Sequence, residues 1–240
     1  NIFFMKNILV TGGAGYIGSH TVLKLLLSNY KVIILDSNIN SSPLVIKRIK
    51  NIVEGIDSEK SKNLTFVKGD LRNINVINQI FEDSILKNSP IDSVMHFSGL
   101  KSVSYSRNYP LIYWEVNVIG TINLLKIMAK NNCKNLIFSS SATVYGEFNS
   151  LPFKETDKLF PVNPYANTKE TIERILVDLS QSRKDKWKIT NLRYFNPIGA
   201  HESGQIGEDP KGTATNLFPL ILNSIIKKQK LYIFGNDWPT

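Results

Sequence analysis

"ILVTGGAGYIGSH", residues 8–20, decides the fold. Ile8-Leu9-Val10 reads as a short buried strand, and Val22, Leu23, Leu26 and Leu27 repeat at helical spacing, which predicts a helix over 18–29. Between them Gly13, Gly15 and Gly18 fit G-x-G-x-x-G, and with Gly12 they also fit G-x-x-G-x-x-G. Glycine suits such a turn because a side chain would hold the backbone away from a pyrophosphate. Close approach lets the amides and dipole at a helix N-terminus stabilise the anion. Asp36 lies 18 residues past Gly18, at the end of the next apolar run. A carboxylate there binds ribose hydroxyls and repels a 2′-phosphate, which favours NAD over NADP.

Outward from this unit the pattern repeats. Strands are predicted at 31–35, 64–67, 93–97 and 135–139, with a helix over 118–130 and an amphipathic helix within the polar stretch 41–62. Alternating strands and helices imply right-handed crossovers and a parallel sheet covered on both faces. The fold class is therefore α/β, a Rossmann-type doubly wound parallel sheet. After Phe195 the segment "NPIGAHESGQIGEDPKGT" (196–213) is rich in Gly, Pro and charge and reads as an excursion from the sheet. A helix over 216–228 and a short strand near 231–234 are expected beyond it. The division expected is a dinucleotide-binding domain over 5–195 and the beginning of a substrate-binding domain over 196–240, with Met5 a candidate start.

Composition narrows the class. The chain has 240 residues, 42% of them hydrophobic, enough for one large α/β domain. No apolar run approaches the roughly 18 residues that cross a bilayer, and the N-terminus lacks the basic lead-in of a signal peptide. The single cysteine, Cys133, excludes an internal disulfide and suits a reducing cytosol. A net charge of +9 raises nucleic acid as a partner, but the lysines are scattered rather than gathered in an arm. No nucleic acid and no membrane are expected. His20, His96 and His201 have no ligand partner at metal spacing, so no metal is expected.

Two further stretches carry chemistry. "YANTK" (165–169) opens a helix in which Tyr165 and Lys169 are i and i+4, neighbours on one face. A free tyrosine, with a pKa of about 10, is a poor base at neutral pH. A neighbouring ammonium and a cationic nicotinamide would stabilise the phenolate, making Tyr165 a candidate general base. "SSSATVYG" (139–146) closes a strand with three serines. Ser139 is expected to end it, Ser140 to pack or cap, and Ser141 to handle the proton.

With "HFSGLKSV" (96–103), "NPYANTK" (163–169), "LRYFNPIGAH" (192–201), "GEDP" (207–210) and "IFGND" (233–237), these blocks resemble the extended branch of the short-chain dehydrogenase/reductase superfamily. Within it they look like the UDP-glucose 4-epimerase (UDP-galactose 4-epimerase) family. The resemblance implies that Tyr165 is base and acid at the sugar 4-hydroxyl, that Ser141 shuttles or orients the proton, and that Lys169 binds the nicotinamide ribose. It implies NAD contacts at Gly12, Gly15, Tyr16, Ile17 and Gly18 around the pyrophosphate, and at Asp36, Asn40 and Ser41 around the adenosine ribose. Asp70 and Leu71 would flank adenine, with Phe97, Gly99, Lys101, Asn117 and Tyr194 along the groove. Lys101, Ser141, Thr143, Tyr165, Asn196, Asn216, Leu217 and Phe234 would meet the UDP-sugar.

The implied activity is interconversion of UDP-galactose and UDP-glucose through a transient 4-keto sugar, part of galactose metabolism. A cytoplasmic homodimer paired through the 118–130 and 165–180 helices is implied with it. Family members continue past the end of this chain, so the substrate domain is expected to be truncated. Ser98 stands where the family commonly has alanine, and Tyr105 where an acidic residue is frequent. Alternatives are a UDP-glucuronate epimerase or decarboxylase, a 4,6-dehydratase, or a non-catalytic NAD-binding protein of the same fold. A dehydratase needs an acidic pair where Ala142-Thr143 stand, and loss of Tyr165 or Lys169 would mark a non-catalytic relative.

Overall fold

A computed structural model describes residues 5–147, 151–184, 186–209, 211, 216–232 and 235. Six parallel strands form one sheet: β1 (Asn7–Thr11), β2 (Lys31–Asp36), β3 (Leu64–Lys68), β4 (Ile91–His96), β5 (Asn135–Ser141) and β6 (Lys188–Tyr194). Their order is β3-β2-β1-β4-β5-β6. The chain reverses its direction of travel across the sheet between β1 and β4, where a crevice opens beyond the strand ends and ligands bind in such sheets.

The helices are α1 (Tyr16–Leu27), α2 (Leu44–Glu54), α3 (Ser58–Ser61), α4 (Ile74–Leu86), α5 (Val103–Asn108), α6 (Pro110–Tyr113), α7 (Gly120–Lys130), α8 (Pro164–Ser180) and α9 (Leu217–Lys227). Alternation along each strand divides the core. Leu9, Phe138 and Leu136 face α4, α7 and α8, where Phe81, Leu124, Met128 and Leu176 are buried. Val10 and Ile34 face the other way, onto Val22, Leu26, Ile49 and Val53 of α1 and α2. Burying a side chain of this kind stabilises the fold by about 1.5–3 kcal/mol. Most of α9 has no such cover: Leu222, Ile225 and Ile226 are exposed, and Pro219 is its one buried residue.

Several elements differ from the sequence reading. The first helix starts at Tyr16, because the glycine turn needs only four residues after Thr11. β5 runs to Ser141 rather than ending at Ser139, since all three serines pair with β6, Ser141 opposite Tyr194. β6 and α4 were absent from the expected elements, β6 because its half-buried, mixed residues lack a clean period. The 118–130 helix starts earlier: α6, a π-helical turn over Trp114–Ile119 and α7 run together from Pro110 to Lys130. That continuous helix is long and apolar enough to cross a membrane by length and composition, but half of its apolar window is buried inside the fold. Leu231 and Tyr232 are outside any strand, and the rest of the expected 231–234 strand, with Phe234, lies outside the described residues.

Candidate active site

The glycine turn is shaped by backbone crowding. Gly12 has φ +70°, and a Cβ there would lie 2.6 Å from the Ser98 nitrogen, where the chain leaves β4. A Cβ on Gly18 would come within 2.2 Å of the Gly12 carbonyl oxygen, which also accepts the Gly15 amide at 3.0 Å. Gly15 is less confined, its Cβ position being 3.2 Å from the same oxygen. The glycines are thus required to fold the turn as well as to admit a ligand.

The helix start beyond the turn is an open anion site. α3, α4, α5 and α8 are capped by the side chains of Asp57, Asn73, Ser102 and Asn163. α1 instead starts from Gly15, with no side-chain cap and no acid in its first turn. Among the described residues, no side chain accepts from its leading amides, those of Tyr16, Ile17 and Gly18, which suits a phosphate at a helix N-terminus. This donor set, with the glycine cradle, fits the pyrophosphate of a dinucleotide.

Asp36 ends β2 beside the turn and is buried. Its carboxylate accepts from the Ala14 amide (3.0 Å), the Asn38 amide (2.9 Å) and the Ser41 hydroxyl (2.9 Å), tying the glycine turn to the loop after β2. Asn40 is exposed next to it. Asp70, just past β3, is held by Arg72 at 2.7 Å, and the guanidinium hydrogen bonds pull its carboxyl below the usual range. Leu71 is buried in the core against α7 rather than open to the crevice.

Beyond β4 the Phe97 amide donates to the Thr11 carbonyl at 2.9 Å. Asn117 is buried and clamps this loop. Its Oδ1 accepts from the Leu100 amide at 2.8 Å, and its Nδ2 donates to the Leu100 carbonyl and the Thr168 hydroxyl, both at 3.1 Å. Gly99 lies against that amide. His96 is a satisfied core residue: its two ring nitrogens meet Thr11 Oγ1 at 2.6 Å and Thr121 Oγ1 at 2.8 Å. Burial, with Lys169 nearby, pushes its pKa down to about 3, so the ring is neutral. Among the described residues no group of three or more His, Cys, Asp or Glu could hold a metal ion.

The reactive corner lies between β5 and α8. Asn163 caps α8 by accepting the Ala166 amide at 2.9 Å, and Pro164 occupies the first helical position, where its missing N–H costs nothing. Tyr165 comes next, buried in the first turn, its amide donating to the Ser106 hydroxyl at 3.2 Å. Ser141 accepts from the Thr143 amide (3.3 Å) and hydroxyl (3.0 Å) as β5 ends, and its side chain draws the Tyr165 pKa down. Lys169 is buried one turn on. Its Nζ donates to the Ser139 carbonyl at 2.8 Å and stands 6.0 Å from the Tyr165 ring centre. Residues 141, 143, 165 and 169, far apart in the chain, are brought together as the sequence suggests.

Their electrostatics depart from the expectation. Burial raises the Tyr165 pKa above its ordinary 10, and the hydrogen bond from Ser141 offsets only part of that. Burial likewise lowers Lys169 to about 8, opposed by the nearby Glu173 carboxylate. The lysine alone does not activate the phenol, because desolvation outweighs a charge about 6 Å away.

The remaining positions lie at the crevice mouth. Tyr194 ends β6 half-buried beside Ser141. Lys101 and Asn216 both donate to Glu208 of the excursion, at 3.2 and 2.7 Å. The Tyr16 hydroxyl donates to the Gly199 carbonyl at 2.5 Å, and Arg48 reaches the Gln205 carbonyl. Segment 196–209 is thus strapped across the glycine turn. Asn196 and Leu217 are exposed. The sequence reading missed Glu208, and it missed Glu173 and Arg193, whose signal was the carboxylate four residues after Lys169.

Comparison with known proteins bears on this arrangement. The family model described as GDP-mannose 4,6 dehydratase matches residues 9–240. A crystal structure of UDP-glucose 4-epimerase from Bifidobacterium longum, in complex with NAD+ and UDP, superposes with a TM-score of 0.86 at 40% identity, covering 98% of this chain and 67% of that one. The chain belongs to the UDP-glucose 4-epimerase family. The Stenotrophomonas maltophila member, crystallised with NAD and formylated UDP-arabinopyranose, has a TM-score of 0.89, again at 40% identity, with 98% and 66% covered. Among curated members, the Pisum sativum bifunctional UDP-glucose and UDP-xylose 4-epimerase 1 is 45% identical over 236 residues. The chain spans 65% of that relative's length. Ala142 and Thr143 come directly after Ser141, and neither carries a carboxyl group.

Proposed function

We propose that this chain carries the cofactor-binding and proton-handling part of an NAD-dependent enzyme interconverting UDP-galactose and UDP-glucose. One observation carries the reading. Ser141, Tyr165 and Lys169 converge at the sheet edge that also bears the uncapped glycine turn, with no carboxylate in the Ala142–Tyr145 turn to eliminate water. When bound, NAD supplies a hydride acceptor, and then a donor, at sugar C4. Tyr165 takes the 4-hydroxyl proton as the sugar is oxidised and returns one when the other face is reduced. Ser141 orients that proton, and Lys169, an ammonium at neutral pH, binds the nicotinamide ribose. Asp36 suits the adenosine ribose once its present donors give way.

The domain division at 195/196 belongs to the same reading, and so does a homodimer through the 118–130 and 165–180 helices. Ile119 and Val177, exposed along those helices, support the pairing. A cytoplasmic setting is supported by the single buried, reduced thiol of Cys133. The test is turnover of UDP-galactose to UDP-glucose by the full natural chain with NAD, read by chromatography. Tyr165→Phe should lower it by at least about 100-fold, the usual range for removing a general base. A variant as active as the parent would refute the assignment.

A further inference from the structure

The three serines of β5 each engage a different residue of α8, one helical turn apart. Ser141 acts on the Tyr165 phenol, drawing its pKa down, the Ser139 carbonyl accepts from Lys169 at 2.8 Å, and the Ser140 hydroxyl donates to Glu173 at 2.5 Å. Positions 165, 169 and 173 are i, i+4 and i+8, a single stripe along the helix. Glu173 lies deep between helix and sheet, its side chain 5% exposed. It also accepts Arg193 of β6 through Nε (3.1 Å) and Nη2 (2.7 Å). Arg193 in turn donates to the Tyr145 hydroxyl at 3.0 Å and the Glu155 carbonyl at 3.1 Å, so the carboxylate joins α8 to both β5 and β6.

We propose that Glu173 is a positioning residue for the Tyr165–Lys169 pair: it fixes the register of α8 on the serine strand and supplies the negative charge that balances the buried Lys169 ammonium. This rests on the function proposed above only for its consequence in turnover. An ammonium taken out of water needs a compensating charge, and among the described residues the groups facing Lys169 offer no other. Tyr165 on its own helix is protonated, as burial raises its pKa. His96 of β4 is neutral, and Arg193 of β6 is cationic. Glu170, the other acid of this turn, is paired with Arg174, and although Glu173 is likewise paired with Arg193, it is the Glu173 charge that acts on Lys169. β5 offers only the Ser139 carbonyl and the Phe138 ring, 4.8 Å from Nζ.

The experiment titrates lysine side chains labelled with 13C at Cε in the cofactor-free protein, with the Lys169 resonance assigned by its loss in Lys169→Met. The midpoint should lie near 8 in the parent and at least about one unit lower in Glu173→Gln, returning toward the parent in Glu173→Asp. The double variant Glu173→Gln/Arg193→Gln leaves no unpaired buried guanidinium and, should the single variant not fold, should still show a fall, smaller because loss of the nearby guanidinium partly offsets loss of the carboxylate. An unchanged midpoint in the folded variant overturns the proposal. In turnover, the alkaline limb of the pH profile should move acidward by the same amount. Absence of UDP-sugar turnover in the parent would refute the proposed function and leave the lysine titration standing; turnover with an unmoved lysine would do the reverse.

Discussion

The glycine turn after β1 and the serine corner between β5 and α8 stand on the same edge of one sheet and are built in opposite ways. The turn is made of backbone. Its specificity lies in side chains that are missing, at Gly12 and Gly18, and in a helix start left without a cap. The corner is made of side chains from separate strands and a helix, with α8 firmly capped by Asn163. A backbone site asks for compactness and is encoded within seven consecutive residues, 12 to 18. A side-chain site asks for close charge balance among buried groups, and its parts can be scattered as long as the strands converge.

That contrast can be broken most severely in the turn. Gly18→Ala places a methyl 2.2 Å from the Gly12 oxygen, where only backbone can yield. A loss of about 3 kcal/mol or more in denaturant unfolding is expected, whereas Gly15→Ala, with 3.2 Å of room, should cost far less. Similar losses at the two positions would show the turn to be more compliant than its crowding implies.

Next in size is the pH signature of the corner. Lys169 titrates near 8 in the folded protein and near 10.5 when unfolded. Between those values the unfolded chain holds the extra proton, so stability contributed at this site rises with pH, by on the order of 3 kcal/mol across the window. Below that window both states are protonated and no pH dependence from this group remains. Subtracting the stability curve of Lys169→Met from that of the parent should isolate the rise; parallel curves from about pH 7.5 to about pH 10 would contradict the burial of an ionisable lysine here.

The smallest effect tests whether the corner depends on its cap. Asn163→Ala removes the acceptor of the Ala166 amide and should cost about 1 kcal/mol, with a modest loss of turnover because Tyr165 lies two residues on. A stability loss without any change in turnover would show Tyr165 to be held by Ser106 and Ser141 instead.

Both regions were legible in the sequence to different depths. Glycine spacing marked the turn outright, because the constraint is local and each residue's role comes from its lack of a side chain. Tyr165, Lys169 and Ser141 were found as a motif, but their electrostatic balance was not: whether the lysine or desolvation governs the phenol depends on distances that spacing does not contain. Glu173 was missed because its role exists only where Ser140 and Arg193 close on it. β6, which supplies Arg193 and extends β5 to Ser141, was overlooked because its half-buried, mixed residues lack a clean period.

By itself, then, the sequence determined a parallel α/β sheet with a phosphate-accepting helix start and a Tyr-x-x-x-Lys helix, since periodicity, glycine placement and i, i+4 spacing are properties of consecutive residues. Only the tertiary structure decided which serine meets which group on α8, that Asn117 is spent on the Leu100 backbone, and that Leu71 turns into the core. Those outcomes depend on strand register and on how many competing donors and acceptors arrive at one buried point, and no stretch of chain holds that information alone.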